Sequence, residues 1–429
     1  MLCQSKLRLS ATPLREHLTK ASLGAKIRGV ATRTGPTSGP WARTLGGATR
    51  RVAEVLRAHG PRTRADLVAL TGLSRPTVSG ALADLATAGL ITEATGVGAA
   101  RTGGRPASVV RLTRSAGLAV GVDIGRRHVR VAAADLGHEV LTDREVRLDE
   151  DAEDHPYEVL ALAVDLVDAV LREVGTDRSE VVGVGLGVPA PITSSGRIGS
   201  PALLPGWAPL VPSEHFAAAL DLPVQVDNDA NLGALGEFVW GAGRGCADLV
   251  YVKLATGIGA GIVLNGRLYR GAAGTAGELG HVTLDARGPV CRCGNRGCVE
   301  LTVGGRALLE HARATHPRVR DLIELVNLAA AGEPGCRRLL IDAGIQLGIA
   351  MGSLVNLVNP DRIVLGGELG VATELLLEPL RRGLADTAMP AAASAVRVVP
   401  AQLGERASAL GGVALVLGAA SPLSSRDLG

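Results

Sequence analysis

Between Glu278 and Glu300 the chain reads ELGHVTLDARGPVCRCGNRGCVE, which sets His281, Cys291, Cys293 and Cys298 in the spacing H-x9-C-x-C-x4-C. Three thiolates and a neutral imidazole are the donor set of a closed tetrahedral zinc site. The Gly294-Asn295-Arg296-Gly297 turn lets the backbone fold sharply around a single ion. The competing reading is a disulfide with chance neighbours. A C-x-C pair makes a poor disulfide, and only Cys3, Cys246 and Cys336 remain as other partners. A structural zinc is therefore expected. Glu278 lies just before the ligands and Glu300 just after them, so wrapping the ligands around a metal draws both carboxylates and His281 towards one spot.

The scaffold that must hold this stretch is bounded by composition. A chain of 429 residues has room for two or three domains and a large core. Aromatic residues make up 2%, so Leu, Val, Ala and Ile must fill that core. Residues 1–115 carry 18 Lys+Arg against 5 Asp+Glu, a surplus of 13; the whole chain carries +3, which leaves the remainder near −10. A basic head on an acidic body points to nucleic-acid contact confined to the N-terminal part. The sequence offers no run of 18 apolar residues, so no membrane-spanning helix is expected. Its start lacks an apolar run followed by a small-residue cleavage site, so no secretion signal is expected. The Arg/Lys/Ser/Thr content of that start resembles a transit peptide; a poorly ordered leader, or a start codon set too early, is the preferred reading. Reduced thiols fit a bacterial cytoplasm.

Residues 1–47 are read as a disordered leader, and residues 421–429 as a frayed tail. Within 48–114, Val52, Val55 and Leu56 mark a helix ending at His59-Gly60-Pro61. Thr63 caps a short second helix, Gly72 permits a left-handed turn, and Ser74 caps a third helix with Pro76 in its first turn. This is helix-turn-helix spacing. Arg75, Thr77, Ser79 and Gly80 lie at the exposed start of the third helix, the end that enters a major groove. Two strands, at Leu90-Ile91 and Val109–Leu112, bracket a glycine-rich wing whose Arg101 and Arg105 suit a narrow minor groove.

From Leu118 a strand–glycine turn–strand plan appears, and it recurs between Leu249 and Leu268. The repeat predicts a duplicated α/β fold over 115–420 with a cleft between two lobes, as in the actin-like, sugar-kinase and ribonuclease H-like ATPases. The strand PVQVDNDAN is placed at 223–231, running into a helix over Leu232–Trp240.

Over about residues 49–420 the sequence resembles the ROK family of repressors, open reading frames and sugar kinases, most specifically in the Glu-Leu-Gly-His, the cysteine spacing and the trailing Cys-Val-Glu. The resemblance implies that Asp229, within Asn228-Asp229-Ala230-Asn231, would be the catalytic base of a kinase. Asn228, Asp229, Glu278, His281 and Glu300 would bind sugar hydroxyls, which carboxylates and an amide can orient together. With one His281 nitrogen on zinc, the other would be left to meet a hydroxyl.

The phosphate hairpins depart from the kinase pattern. D-x-G-G-T becomes Asp123-Ile124-Gly125-Arg126-Arg127, which adds a Cβ and removes the hydroxyl. The second hairpin keeps Thr256, Gly257 and Gly259 but has Ala255 and Ala260 where glycine is common. Use of ATP is therefore not expected. The function expected is that of a sugar-responsive transcriptional regulator, more often a repressor in this family, that binds operator DNA and a sugar or sugar phosphate as a homodimer or tetramer. The alternative is a hexokinase-type enzyme carrying a DNA-binding head.

Overall fold

Val52, Val55 and Leu56 share one face of helix α1 (Gly47–His59), and all three are fully buried. This computed structural model describes residues 45–95 and 108–419. Strand β1 (Arg62–Thr63) leads into α2 (Arg64–Thr71), which opens on a capping box. The Thr63 hydroxyl accepts from the Asp66 amide, and the Asp66 carboxylate accepts from the Thr63 amide at 3.0 Å. Gly72 takes φ 66°, and Ser74 caps α3 (Arg75–Thr87) by accepting from the Thr77 amide. Val78, Leu82 and Leu85 are buried beneath it. Strands β2 (Ile91–Thr95) and β3 (Ser108–Leu112) pair antiparallel across the wing. Strand β1 was not expected; it adds antiparallel to β3, and two residues carry no readable period. The leader to residue 44, the wing with Arg101 and Arg105, and the tail from residue 420 lie outside the described residues.

Because both halves of the capping box form, Thr63→Ala is expected to weaken α2 by about 1 kcal/mol. Faster amide exchange over α2, with α1 unchanged, is the readout.

The first lobe runs through β4 (Leu118–Ile124), β5 (His128–Asp135), β6 (Val140–Arg147), α4 (Pro156–Glu173), β7 (Val181–Val188), α5 (Pro212–Leu220) and β8 (Val224–Asn228). Helix α6 (Asp229–Trp240) crosses to the second lobe. That lobe contains β9 (Leu249–Leu254), β10 (Ile258–Leu264), β11 (Arg267–Leu268), α7 (Glu300–Val303), α8 (Gly305–Thr315), α9 (Leu322–Ala330) and α10 (Pro334–Val358). It is completed by β12 (Arg362–Gly366), α11 (Thr373–Ala385), α12 (Pro390–Ala395) and β13 (Arg397–Pro400), and α13 (Ala407–Leu417) returns between the lobes. The sheets have strand orders β6-β5-β4-β7-β8 and β11-β10-β9-β12-β13, the same plan used twice. In each, three antiparallel strands continue into two parallel ones.

One reading needs correction. The strand placed at 223–231 stops at Asn228, because the Asn228 side-chain oxygen accepts from the amides of Ala230 and Asn231 and starts α6 there. Asp229 thus stands on the first turn of a helix. Helix α10 is long and apolar enough, by length and composition, to cross a membrane. Its apolarity has another use: Leu340, Leu347, Met351 and Val355 are buried in the core of the second lobe.

Helices α6 and α13 fill the space between the sheets. A Cβ on Gly411 would lie 1.7 Å from the Leu232 carbonyl oxygen, so the two helices meet backbone to backbone. Helix α6 rests on the second sheet, where a Cβ on Gly261 would sit 2.4 Å from the Ala230 carbonyl oxygen. Helix α13 rests on the first sheet. The head shares its core with Ala119, Ala134 and Leu136 of the first lobe and with Leu410 and Val413 of α13, and so is seated on that lobe.

Candidate ligand cleft and metal-ligand cluster

The ends of β4 and β9 and the start of α6 bring Asp123, Lys253 and Asp229 together. The Lys253 ammonium donates to Asp229 Oδ2 at 2.9 Å and lies 3.9 Å from Asp123 Oδ2. His128 Nε2 sits 3.1 Å from the same Asp123 oxygen. Burial opposes the charge on Lys253, but the two carboxylates win and hold its pKa above the ordinary lysine range. Burial pushes Asp229 up, Lys253 pulls it down, Asp123 adds repulsion, and the net direction is up. Burial also acts to raise Asp123, yet Lys253 and then His128 hold it below its ordinary value. Ser408, at the start of α13, donates to the Asp229 carbonyl at 2.9 Å and ties both lobe-crossing helices to this centre.

On the second lobe the ligand atoms of His281, Cys291, Cys293 and Cys298 all lie within 4.8 Å of one another. Cys293 Sγ is 3.7 Å from Cys298 Sγ, and Cys291 Sγ is 3.7 Å from His281 Nδ1. A tetrahedron with Zn–S near 2.3 Å has edges of about 3.8 Å, so the cluster has the size of a four-coordinate zinc site. Burial, then the neighbouring thiols, pushes Cys298 up to about 12, so its thiolate form depends on a cation in the cluster. The residues fit the metal. With Nδ1 among the thiols, His281 Nε2 points towards Glu278 Oε2, 4.0 Å away.

Asn228, Asp229, Glu278, His281 and Glu300 all line one cavity of about 320 Å³ between the lobes. That volume lies at the small end of the usual range for ligand pockets, about 300–1,000 Å³. Burial, then the charges of Asp229 and Glu300, pushes Glu278 up to about 7. Glu300 Oε2 accepts from the Ile258 amide at 3.3 Å, which fixes it on the second hairpin. Asn228 is partly committed: its oxygen caps α6 and its amide nitrogen donates to the Ala190 carbonyl at 3.1 Å.

Thr256, Gly257 and Gly259 line the same cavity, whereas Asp123 and Gly125 do not. A Cβ on Gly125 would meet the His128 ring at 2.2 Å, so that ring fills the space over the first hairpin turn. Arg126 is paired with Glu153 and lies 3.5 Å from Asp151. Arg292, between two of the thiols, crosses the cleft to Glu153 at 3.2 Å. Arg127 donates to the Asp149 carbonyl.

Comparison with known proteins decides the family. Residues 119–419 match the ROK family, and residues 44–101 match the MarR family. The chain belongs to the ROK family. It is 30% identical over 368 residues to the xylose repressor of Bacillus spizizenii, covering 85% of this chain and 93% of that protein. It superposes with TM-score 0.68 and 27% identity on a crystal structure of a ROK family transcriptional regulator, homologous to the E. coli Mlc protein, over 86% of this chain and 94% of that one. A ROK family glucokinase from Streptomyces griseus, solved with glucose and AMPPNP, superposes with TM-score 0.58 and 27% identity over 70% of this chain and 99% of its own. The kinase therefore matches the body alone, whereas the regulator also matches the head.

In this ROK chain the head presents Arg75, Thr77, Ser79 and Gly80 on exposed positions of α3. The Thr77 hydroxyl is also 2.7 Å from the Ser74 hydroxyl, so it is shared with the cap. The sequence reading missed Lys253, His128 and Ser408. The first left a trace: it is the only lysine among the described residues, in the apolar strand LVYVKL of an arginine-rich chain.

Proposed function

We propose that this ROK protein is a cytoplasmic, sugar-responsive transcriptional repressor that binds operator DNA through α3 and the wing, and a monosaccharide in the cleft. One observation carries the reading. A helix-turn-helix with an open N-terminal face and a cleft lined by Asn228, Asp229, Glu278, His281 and Glu300 occur in one chain, while the pair a kinase would use is internally neutralised. Lys253 holds Asp229, the family's base, and together with His128 it occupies Asp123. A magnesium–phosphate group would have to displace both side chains. Thr256, Gly257 and Gly259 then serve as cleft wall rather than as a phosphate cradle.

Zinc on His281 Nδ1 and the three thiols would fix the imidazole so that Nε2 faces the sugar, acting as a brace rather than a reactant. Arg75, Thr77 and Ser79 are the candidates for base and phosphate contact, with Arg101 and Arg105 of the wing for the minor groove. One recognition helix reads few base pairs, so the working unit is a homodimer, or a tetramer of two such pairs, on a palindromic site. Sugar releases the operator only if it prefers the geometry that binds DNA poorly.

A thermal-shift screen of sugars and sugar phosphates, with and without ATP, tests this reading. D-Xylose is the first probe, because relatives of this chain are xylose repressors. A rise in melting temperature with one sugar, unchanged by ATP, is expected. Sugar-dependent ATP consumption would establish the kinase reading instead. The absence of a shift with any sugar would leave a DNA-binding scaffold.

A further inference from the structure

The turn between β5 and β6 is gripped by the head on several sides. Arg111 of β3 reaches Glu139 at 2.7 Å. A Cβ on Gly137 would lie 2.3 Å from the Leu112 carbonyl oxygen, so turn and strand touch backbone to backbone. His138, held at φ 70°, places Nε2 at 2.6 Å from the Arg57 carbonyl in the last turn of α1. A carbonyl only accepts, so Nε2–H donates. Burial lowers the His138 pKa to about 4, which keeps the ring neutral in that role at physiological pH. A Cβ on Gly60, the residue that ends α1, would lie 3.2 Å from the same ring.

The second holder of this turn comes from elsewhere. Trp240, the last residue of α6, donates from Nε1 to the His138 carbonyl at 3.1 Å, and its ring centroid lies 5.8 Å from that of the imidazole. Helix α6 starts at Asp229 in the cleft and runs for 12 residues, a rod of about 18 Å. It rests on the sheet of the second lobe, whereas His138 belongs to the first lobe, on which the head is seated. The Trp240–His138 contact therefore joins the lobes at the end of the rod opposite the cleft. The contact between α6 and α13 runs through Gly236 and Gly411, where a Cβ would strike backbone rather than side chain, a surface suited to the small sliding of packed helices.

We propose that Trp240 and His138 are the residues through which the cleft acts on the DNA-binding head. Closing on a sugar moves α6 with the second lobe; Trp240 shifts His138, and His138 shifts the end of α1 through the Arg57 carbonyl. The proposal rests on the cleft being a sugar site and adds the point at which the response leaves the body.

The test uses the full chain, D-xylose, D-glucose and their phosphates as probes, and the DNA upstream of its own gene as operator. Trp240→Phe keeps the ring and removes the donor. His138→Asn keeps a residue that tolerates positive φ and removes the reach to Arg57. In wild type, the sugar that raises the melting temperature is expected to change amide exchange over residues 52–60 and to weaken operator binding. Both variants are expected to keep the sugar-induced thermal shift and the sugar-free operator affinity. Their ratio of affinities without and with sugar should fall about tenfold towards unity, within the usual range of allosteric coupling. A merely structural role would instead lower sugar-free stability and operator affinity together, and that result overturns the proposal. So does an unchanged ratio in both variants. If no sugar shifts the wild-type melting temperature, the cleft reading falls and takes the coupling with it. If a sugar does and the ratio survives, the coupling alone falls.

Discussion

Cys293→Ser is expected to abolish the response to sugar while leaving sugar-free operator binding intact. The substitution removes one of four ligand atoms that lie within 4.8 Å of each other, and with it the proposed zinc. His281 then loses the partner that fixes its ring, and Glu278 and Glu300, at the two ends of the same loop, lose their common frame. The cluster belongs to the second lobe, while the head is seated on the first, so DNA affinity has no direct reason to fall. A sugar present at a hundred times its Kd stabilises a protein by about 2.7 kcal/mol. The variant should lose most of that stabilisation, and its metal content should fall from one zinc per chain to none. Normal operator release by the zinc-free variant would separate the metal from the switch.

Lys253→Met is expected to be the most destabilising single change in the cleft. It leaves Asp123 and Asp229 buried without their shared cation, and breaking such an arrangement from one side costs about 3–5 kcal/mol. The pH dependence follows from the sign of each shift. In wild type the Asp123 carboxyl is depressed, so its contribution is present above its unfolded pKa and is lost as pH falls through the folded value. Without the ammonium both carboxyls are raised. The folded variant then binds protons that the unfolded chain does not, and stability returns as pH falls through the raised values. Urea unfolding at pH 7 and pH 5 decides the matter. A loss below about 1 kcal/mol, or an equal loss at both pH values, would mean that the three groups do not share charge as their geometry implies.

How much could be read beforehand depends on how local the determinant is. The clustering of His281 with the three cysteines was legible because the four residues fall within eighteen positions, and the capping box because Thr63 and Asp66 are one turn apart. The duplicated hairpins showed themselves by repeating the same plan. Helix α13 was not legible: it is buried all round, so it carries no amphipathic period, and only its packing between two sheets explains its glycines. The Asp123–Lys253–Asp229 centre escaped for a different reason. Its members stand at positions 123, 229 and 253, and nothing short of the two-lobed topology brings both carboxylates within 4 Å of the Lys253 ammonium. Asn228 shows a local signal read for one role and found in another: its place before a helix made it a cap as well as a cleft residue.

Operator affinity measured with and without the sugar that raises the melting temperature tests the link between cleft and head most directly. Fluorescence anisotropy on labelled upstream DNA is expected to show affinity falling by about tenfold or more at saturating sugar, with no ATP required. An affinity that stays the same while the sugar is demonstrably bound would contradict it.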